Sequence, residues 1–233
     1  MSPGDARVNL GMLAGQIAGM VVVFGAALFG AAGTLKWRAG WAFMALFFGF
    51  TVALSGWLLR RNPALLTERM TGVGKPDQKG WDRVWFGLTA VAFLGWLVLM
   101  PLDAVRFGWS RVPRWVQATG GAAVVASFWL LFGVFRENTY LSPAVRVQRE
   151  RGQTVVDTGP YAYVRHPMYA AAGLLMAGST LLLGSWWGLV GAGAIVAGVA
   201  ARAVGEERML RAELPGYAAY AERVRYRLVP GVW

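Results

Sequence analysis

Long apolar runs separated by short charged segments set the pattern of this chain. Six of them, Leu10–Ala32, Ala39–Leu59, Val84–Met100, Trp115–Phe135, Met168–Leu183 and Trp186–Val204, approach the roughly 20 residues that a helix needs to cross a hydrocarbon core of about 30 Å. A lone strand would leave its backbone polar groups unpaired in lipid, so every run is predicted to be a helix. The expected fold class is therefore an all-α integral membrane protein of about six transmembrane helices, with both termini on one side. Hydrophobic residues make up 56% of the chain and the mean hydropathy is +0.44, as that class requires.

The polar segments refine this picture. Only Gly184-Ser185 separates the last two runs, which predicts a tight helical hairpin. Two longer connections, Arg60–Asp82 and Arg136–Pro167, fall on the same side. In the first, Asn62-Pro63 and Gly72-Val73-Gly74-Lys75-Pro76 read as turns around a short interfacial helix, while the part this loop plays is left open. Gly11, Gly15 and Gly19 recur at the spacing that lets membrane helices approach closely. Gly191-Ala192-Gly193 looks like a nucleotide loop, but no strand precedes it and it lies inside an apolar run. The first run follows Arg7 and ends in small residues, as a signal peptide would. Its apolar stretch exceeds the usual 7 to 15 or so residues, so it is expected to be a retained helix.

Charge then orients the bundle. Of the 23 Lys and Arg residues, 18 fall on the side of the two long connections and the termini; only Lys36, Arg38, Arg106, Arg111 and Arg114 fall on the other. The positive-inside rule assigns the crowded side to the cytoplasm. The pI near 10.8 thus reports topology and anionic headgroups, and no nucleic-acid partner is expected. With no cysteine and one histidine, thiolate chemistry and Cys-ligated metals are excluded, and no metal site is predicted. Arginine far outnumbers lysine, which fits a GC-rich bacterial genome and hence a plasma membrane.

Candidate chemistry gathers in the last hundred residues. Val164-Arg165-His166-Pro167 opens the fifth run, with His166 kept out of the α conformation by Pro167 and close to the helix N-cap. Arg165, His166 and the helix end are together suited to an anionic group, and Tyr169 projects from the same end. Glu206-Glu207 is expected just beyond the last run, one carboxylate inward and the other toward solvent or an arginine. Tyr217, Tyr220 and Arg223 or Val224 then mark one face of an amphipathic tail helix. The hairpin returns the chain to the side it left, so His166 and Glu206 are predicted near one membrane face.

These residues carry a resemblance. Gly159-Pro160-Tyr161, Arg165-His166-Pro167-Met168-Tyr169, Glu206-Glu207 with Leu210, Pro215-Gly216-Tyr217-Ala218-Ala219-Tyr220 and Val229-Pro230-Gly231-Val232-Trp233, in that order, resemble the isoprenylcysteine carboxyl methyltransferase family, which is related to the membrane phospholipid N-methyltransferases. The resemblance implies an S-adenosylmethionine-dependent methyltransferase that releases S-adenosylhomocysteine and acts on a lipophilic acceptor, with carboxyl O-methylation as the most similar activity. It implies that residues 136–233 form the methyltransferase core and residues 1–135 the membrane helices of the acceptor side. Carried over residue by residue, it implies that Tyr161, Arg165, His166, Pro167, Tyr169, Glu206 and Glu207 line the cofactor pocket and that Glu207 and Arg223 serve catalysis. Lying outside the apolar runs, those two are expected to matter for turnover more than for stability. A phospholipid N-methyltransferase or a small-thiol S-methyltransferase on the same fold is the close alternative. A non-enzymatic transporter or assembly subunit is the rival of another class. Oligomeric state is open.

Overall fold

A computed structural model describes residues 8–71, 74 and 78–233. Arg7 and most of the predicted turn at 72–76 lie outside the described residues. The described chain is helical, with no strand: α1 (Leu10–Gly25), α2 (Arg38–Arg61), α3 (Pro63–Thr71), α4 (Gly80–Pro101), α5 (Arg114–Glu137), α6 (Pro167–Leu183), α7 (Trp187–Glu213) and α8 (Tyr217–Arg223). Single π-helical turns prolong α1 to Gly30 and α4 to Arg106.

Among the described residues, five helices are long and apolar enough to cross a membrane: α1 and α4 with their extensions, α2, α5 and α7. The chain is an integral membrane protein. The remaining expected span, the fifth apolar run, is α6, which has 17 residues, about 25 Å at 1.5 Å per residue, and falls short of that length. Side chains such as Val22, Leu88, Val91 and Trp129 point outward from the long helices, where lipid is the fitting solvent. Inside, Phe24, Phe43, Leu97, Met100, Met176 and Ile195 join α1, α2, α4, α6 and α7 in one apolar core.

Helix α6 is held most closely by α5. A Cβ on Gly178 would lie 2.9 Å from the Gly120 carbonyl oxygen and 2.9 Å from the Val124 nitrogen, so only glycine lets the two backbones meet there. The stripe Gly11, Gly15, Gly19 does not play the part expected of it: added carbons at Gly15 and Gly19 would meet open space. That face of α1 packs against nothing in the described chain.

The hairpin between α6 and α7 forms at the predicted place. Gly184 takes the left-handed conformation (φ 83°) that closes a helix, and Ser185 Oγ accepts from the Gly188 N–H at 2.9 Å to start the next. Asp103, fully buried at the end of α4, pins this turn by accepting from Ser110 Oγ and Ser185 Oγ, each at 2.6 Å, and from the Trp187 N–H at 3.3 Å. At the opposite end of the bundle, the predicted short helix in the first connection is α3. Asn62 caps it by accepting from the Leu65 N–H at 3.0 Å.

One boundary differs in a way that matters for the site. The last span was expected to stop near Val204, where polar residues begin. Instead α7 continues to Glu213, because a helix needs lipid only around apolar side chains and Arg202, Glu206 and Glu207 find protein partners. All three therefore stand on one rigid element.

Candidate functional site

Where α6 begins and α7 ends, the chain encloses a cleft of about 820 Å³, part of it open to solvent. Its walls come from the start of α6, the end of α7, helix α8 and the connection between α5 and α6. Of the residues expected to bind the cofactor or serve catalysis, Tyr161, Arg165, His166, Tyr169 and Glu206 line it; Pro167, Glu207 and Arg223 do not.

The local sequence explains the arrangement. Pro167 occupies the first turn of α6 and leaves His166 outside the helix at φ −124° and ψ 62°. The backbone N–H groups of Arg165 and His166 donate to the carbonyls of Tyr226 (3.0 Å) and Arg227 (2.9 Å). The C-terminal segment is thereby laid across the start of α6.

Two networks meet here. Glu207, only 3% exposed, accepts from Arg165 Nε at 2.6 Å and Nη2 at 3.2 Å and from Arg227 Nε at 3.0 Å; His166 Nε2 lies 3.1 Å from the same carboxylate. Arg165 Nη1 also donates to the carbonyls of Val224 and Arg225. Arg165 is thus committed to Glu207 and the backbone, so the anion expected for it is an internal carboxylate. Of the two carboxylates, Glu206 turns into the cleft and Glu207 meets arginines, which is one of the two arrangements expected for the pair. Glu206 accepts from the Tyr169 hydroxyl at 2.7 Å, and Tyr169 accepts from Arg202 Nη1 at 2.7 Å. The Tyr169 ring stacks on His166 with centroids 5.4 Å apart and planes 4° from parallel, which fixes both side chains.

Arg223 is not brought into this cluster. Its guanidinium reaches Asp157 at 2.5 Å on the surface, where the two side chains are 62% and 45% exposed. Helix α8 ends at Arg223 and the chain reverses, so Arg227 is the arginine after the paired tyrosines that meets Glu207.

Helix α8 serves the cleft from inside. Tyr217 and Tyr220 are buried against Met209, Leu210, Leu214 and Val145, so its apolar face packs on protein. The Tyr220 hydroxyl donates to the Tyr161 carbonyl at 2.8 Å, and the Tyr161 hydroxyl accepts from Asn138 Nδ2 at 2.8 Å. The Tyr217 hydroxyl is buried with no partner in the described chain, although the residue lines the cleft. Burial pushes all three phenols above the usual tyrosine value, and the nearby glutamates push Tyr217 further the same way. They remain neutral hydroxyls, able to donate as well as accept.

Sequence reasoning placed residues 138–156 in the methyltransferase core and Tyr217 on the tail helix without assigning any of them to the pocket, and it missed the parts played by Arg202 and Asp82. Arg202 had the signal of its spacing, four residues before Glu206 on one helix face.

Residues 115–214 match the family model described as phospholipid methyltransferase. That stretch runs from the start of α5 to the end of α7 and contains both halves of the Tyr169–Glu206 pair. No curated protein matches the chain.

Proposed function

We propose that this chain is a membrane methyltransferase that takes its methyl group from S-adenosylmethionine in the cleft between α6, α7 and α8 and passes it to a lipophilic acceptor drawn from the bilayer. The observation that carries this reading is the convergence of Tyr169, Glu206, Arg202 and the orphaned Tyr217 hydroxyl on one cleft at the end of an apolar bundle. The match of residues 115–214 supports it.

The lining fits the donor's chemistry. Glu206, its side chain 26% exposed, complements an ammonium or ribose hydroxyls. Tyr217 offers a buried hydroxyl that lacks a partner, and Leu210, Leu214 and Val155 offer an apolar wall for a base. S-adenosylmethionine, when bound, supplies a methyl group on a positively charged sulfur. Tyr169 and Arg202 hold Glu206 in place, while Arg165, His166 and Arg227 frame the cleft through Glu207. In-line transfer at carbon depends chiefly on positioning, for which effective molarities reach about 10⁵–10⁸ M in favourable cases.

Two acceptors suit this site equally. A carboxylate, as in isoprenylcysteine, is already ionised at neutral pH and needs no base. A phospholipid amine must lose a proton first. Incubating the purified protein with methyl-labelled S-adenosylmethionine and lipid extracts should label a lipid. Release of the label by mild alkali identifies an ester and retention an amine, whereas no labelled lipid from folded protein would overturn the proposal.

The charge division favours a cleft facing the cytoplasm, and the excess of arginine over lysine fits a bacterial plasma membrane. The chain has no cysteine, so one placed at exposed Ala218 should resist an impermeant maleimide applied to intact cells. Labelling there would reverse the orientation.

A further inference from the structure

Asp82 belongs to none of the motifs of the C-terminal half, yet it is fully buried at the start of α4, beside the cleft. Its Oδ1 accepts from Arg202 Nε at 2.8 Å, and its Oδ2 accepts from Gln78 Nε2 and the Val145 N–H, each at 2.9 Å. Arg202, 5% exposed, extends the path: Nη1 donates to the Tyr169 hydroxyl at 2.7 Å and Nη2 to the Pro143 carbonyl at 2.6 Å. Trp85 closes over the guanidinium, 4.6 Å from its ring centroid. Tyr169 in turn donates to Glu206.

The direction of these bonds has a consequence. A guanidinium only donates, so Arg202 occupies a lone pair of the phenol and commits the single phenolic proton to Glu206. Without Arg202 the hydroxyl is free to turn. The planar fork also spans three acceptors at fixed angles, which an ammonium cannot do. A buried ion pair is weak evidence for stability compared with apolar packing of the same volume, whereas it holds oriented groups firmly.

We infer that Asp82 and Arg202 are positioning residues of the methyl-donor site: through Tyr169 they hold Glu206 in the geometry that receives the donor. This gives the first connection and α4 a part in a site otherwise built from residues after Glu137, and it rests on the reading of the cleft as the donor site.

The test is calorimetric titration of the full-length, detergent-purified protein with S-adenosylhomocysteine, together with thermal unfolding. Arg202→Lys keeps the charge beside Asp82 and loses the fork; it should unfold within a few degrees of wild type yet bind about tenfold more weakly. Asp82→Asn should bind as weakly but unfold at a clearly lower temperature, because it leaves the buried Arg202 charge uncompensated. Tyr169→Phe should show a similar loss. The double variant Arg202→Lys/Tyr169→Phe should bind no more than about threefold worse than the weaker single variant, because both changes cut one path. Affinity of Arg202→Lys within about twofold of wild type, or losses that multiply in the double variant, would overturn the inference. If Asp82→Asn yields no folded protein, Arg202→Lys and the double variant decide the matter. Wild-type protein that fails to bind would instead overturn the reading of the cleft, and the inference with it.

Discussion

Replacing Glu207 by glutamine removes one negative charge from the midst of Arg165, Arg227 and His166 and leaves the volume almost unchanged. The carboxylate is 3% exposed, and Arg165 is itself buried, with Nε and Nη2 both spent on Glu207. Breaking a buried pair by neutralising one partner costs about 3–5 kcal/mol, since the other charge is left uncompensated. Glutamine retains one acceptor oxygen, so about 3 kcal/mol is the expected loss. For a chain of this length about 1 kcal/mol shifts the unfolding midpoint by roughly 2–4 °C, which gives a fall of about 6–12 °C. Arg165 also fastens Val224 and Arg225, so the C-terminal segment should loosen as well. Scanning fluorimetry in detergent reads the first effect and trypsin cleavage after Arg225 or Arg227 the second. A midpoint within about 2 °C of wild type, with no faster cleavage, would refute the structural role and favour the expectation that Glu207 matters for turnover more than for stability.

Arg223→Ala removes only an exposed pair with Asp157, so thermal unfolding should shift by less than about 1 kcal/mol and methyl transfer should persist; loss of activity in folded protein would return Arg223 to the site. Tyr217→Phe deletes a buried hydroxyl without a partner. The free protein should therefore be as stable or up to about 1 kcal/mol more stable, while S-adenosylhomocysteine binding weakens; unchanged affinity would remove Tyr217 from the ligand's surroundings. Gly178→Ala drives a methyl group against the backbone of α5 and should destabilise by about 1–3 kcal/mol, whereas Gly15→Ala meets open space and should not; equal effects in thermal unfolding would contradict the α5–α6 contact.

The apolar runs, the Gly184-Ser185 turn and the helix after Asn62-Pro63 were legible because each depends on local composition. Proximity of His166 to Glu206 was legible too, since a hairpin brings its two ends together. The buried acids were not. Asp82 and Asp103 look in sequence like flanking charges, and their partners Arg202 and Ser185 lie 120 and 82 residues away. Burial of a charge is decided by such distant partners and leaves no local pattern. The glycines teach the same lesson: Gly11, Gly15 and Gly19 have the regular spacing, while the contact that only glycine permits joins Gly120 to Gly178 across two helices. Arg223 and Arg227 are alike in composition, and only the end of α8 decides which one turns back to Glu207.

The central claim is that the cleft beside Tyr169 and Glu206 binds the methyl donor. Calorimetric titration of wild-type protein and of Glu206→Ala with S-adenosylhomocysteine tests it most directly, because Glu206 stands in the cleft with one hydrogen bond among the described residues, from Tyr169, and His166 Nδ1 3.9 Å away. Saturable one-to-one binding to wild type is expected, with a loss of about tenfold or more in Glu206→Ala, the scale of a lost hydrogen bond to a charged group. Wild-type protein that releases no heat of binding, or a folded Glu206→Ala protein that binds as tightly as wild type, would contradict it.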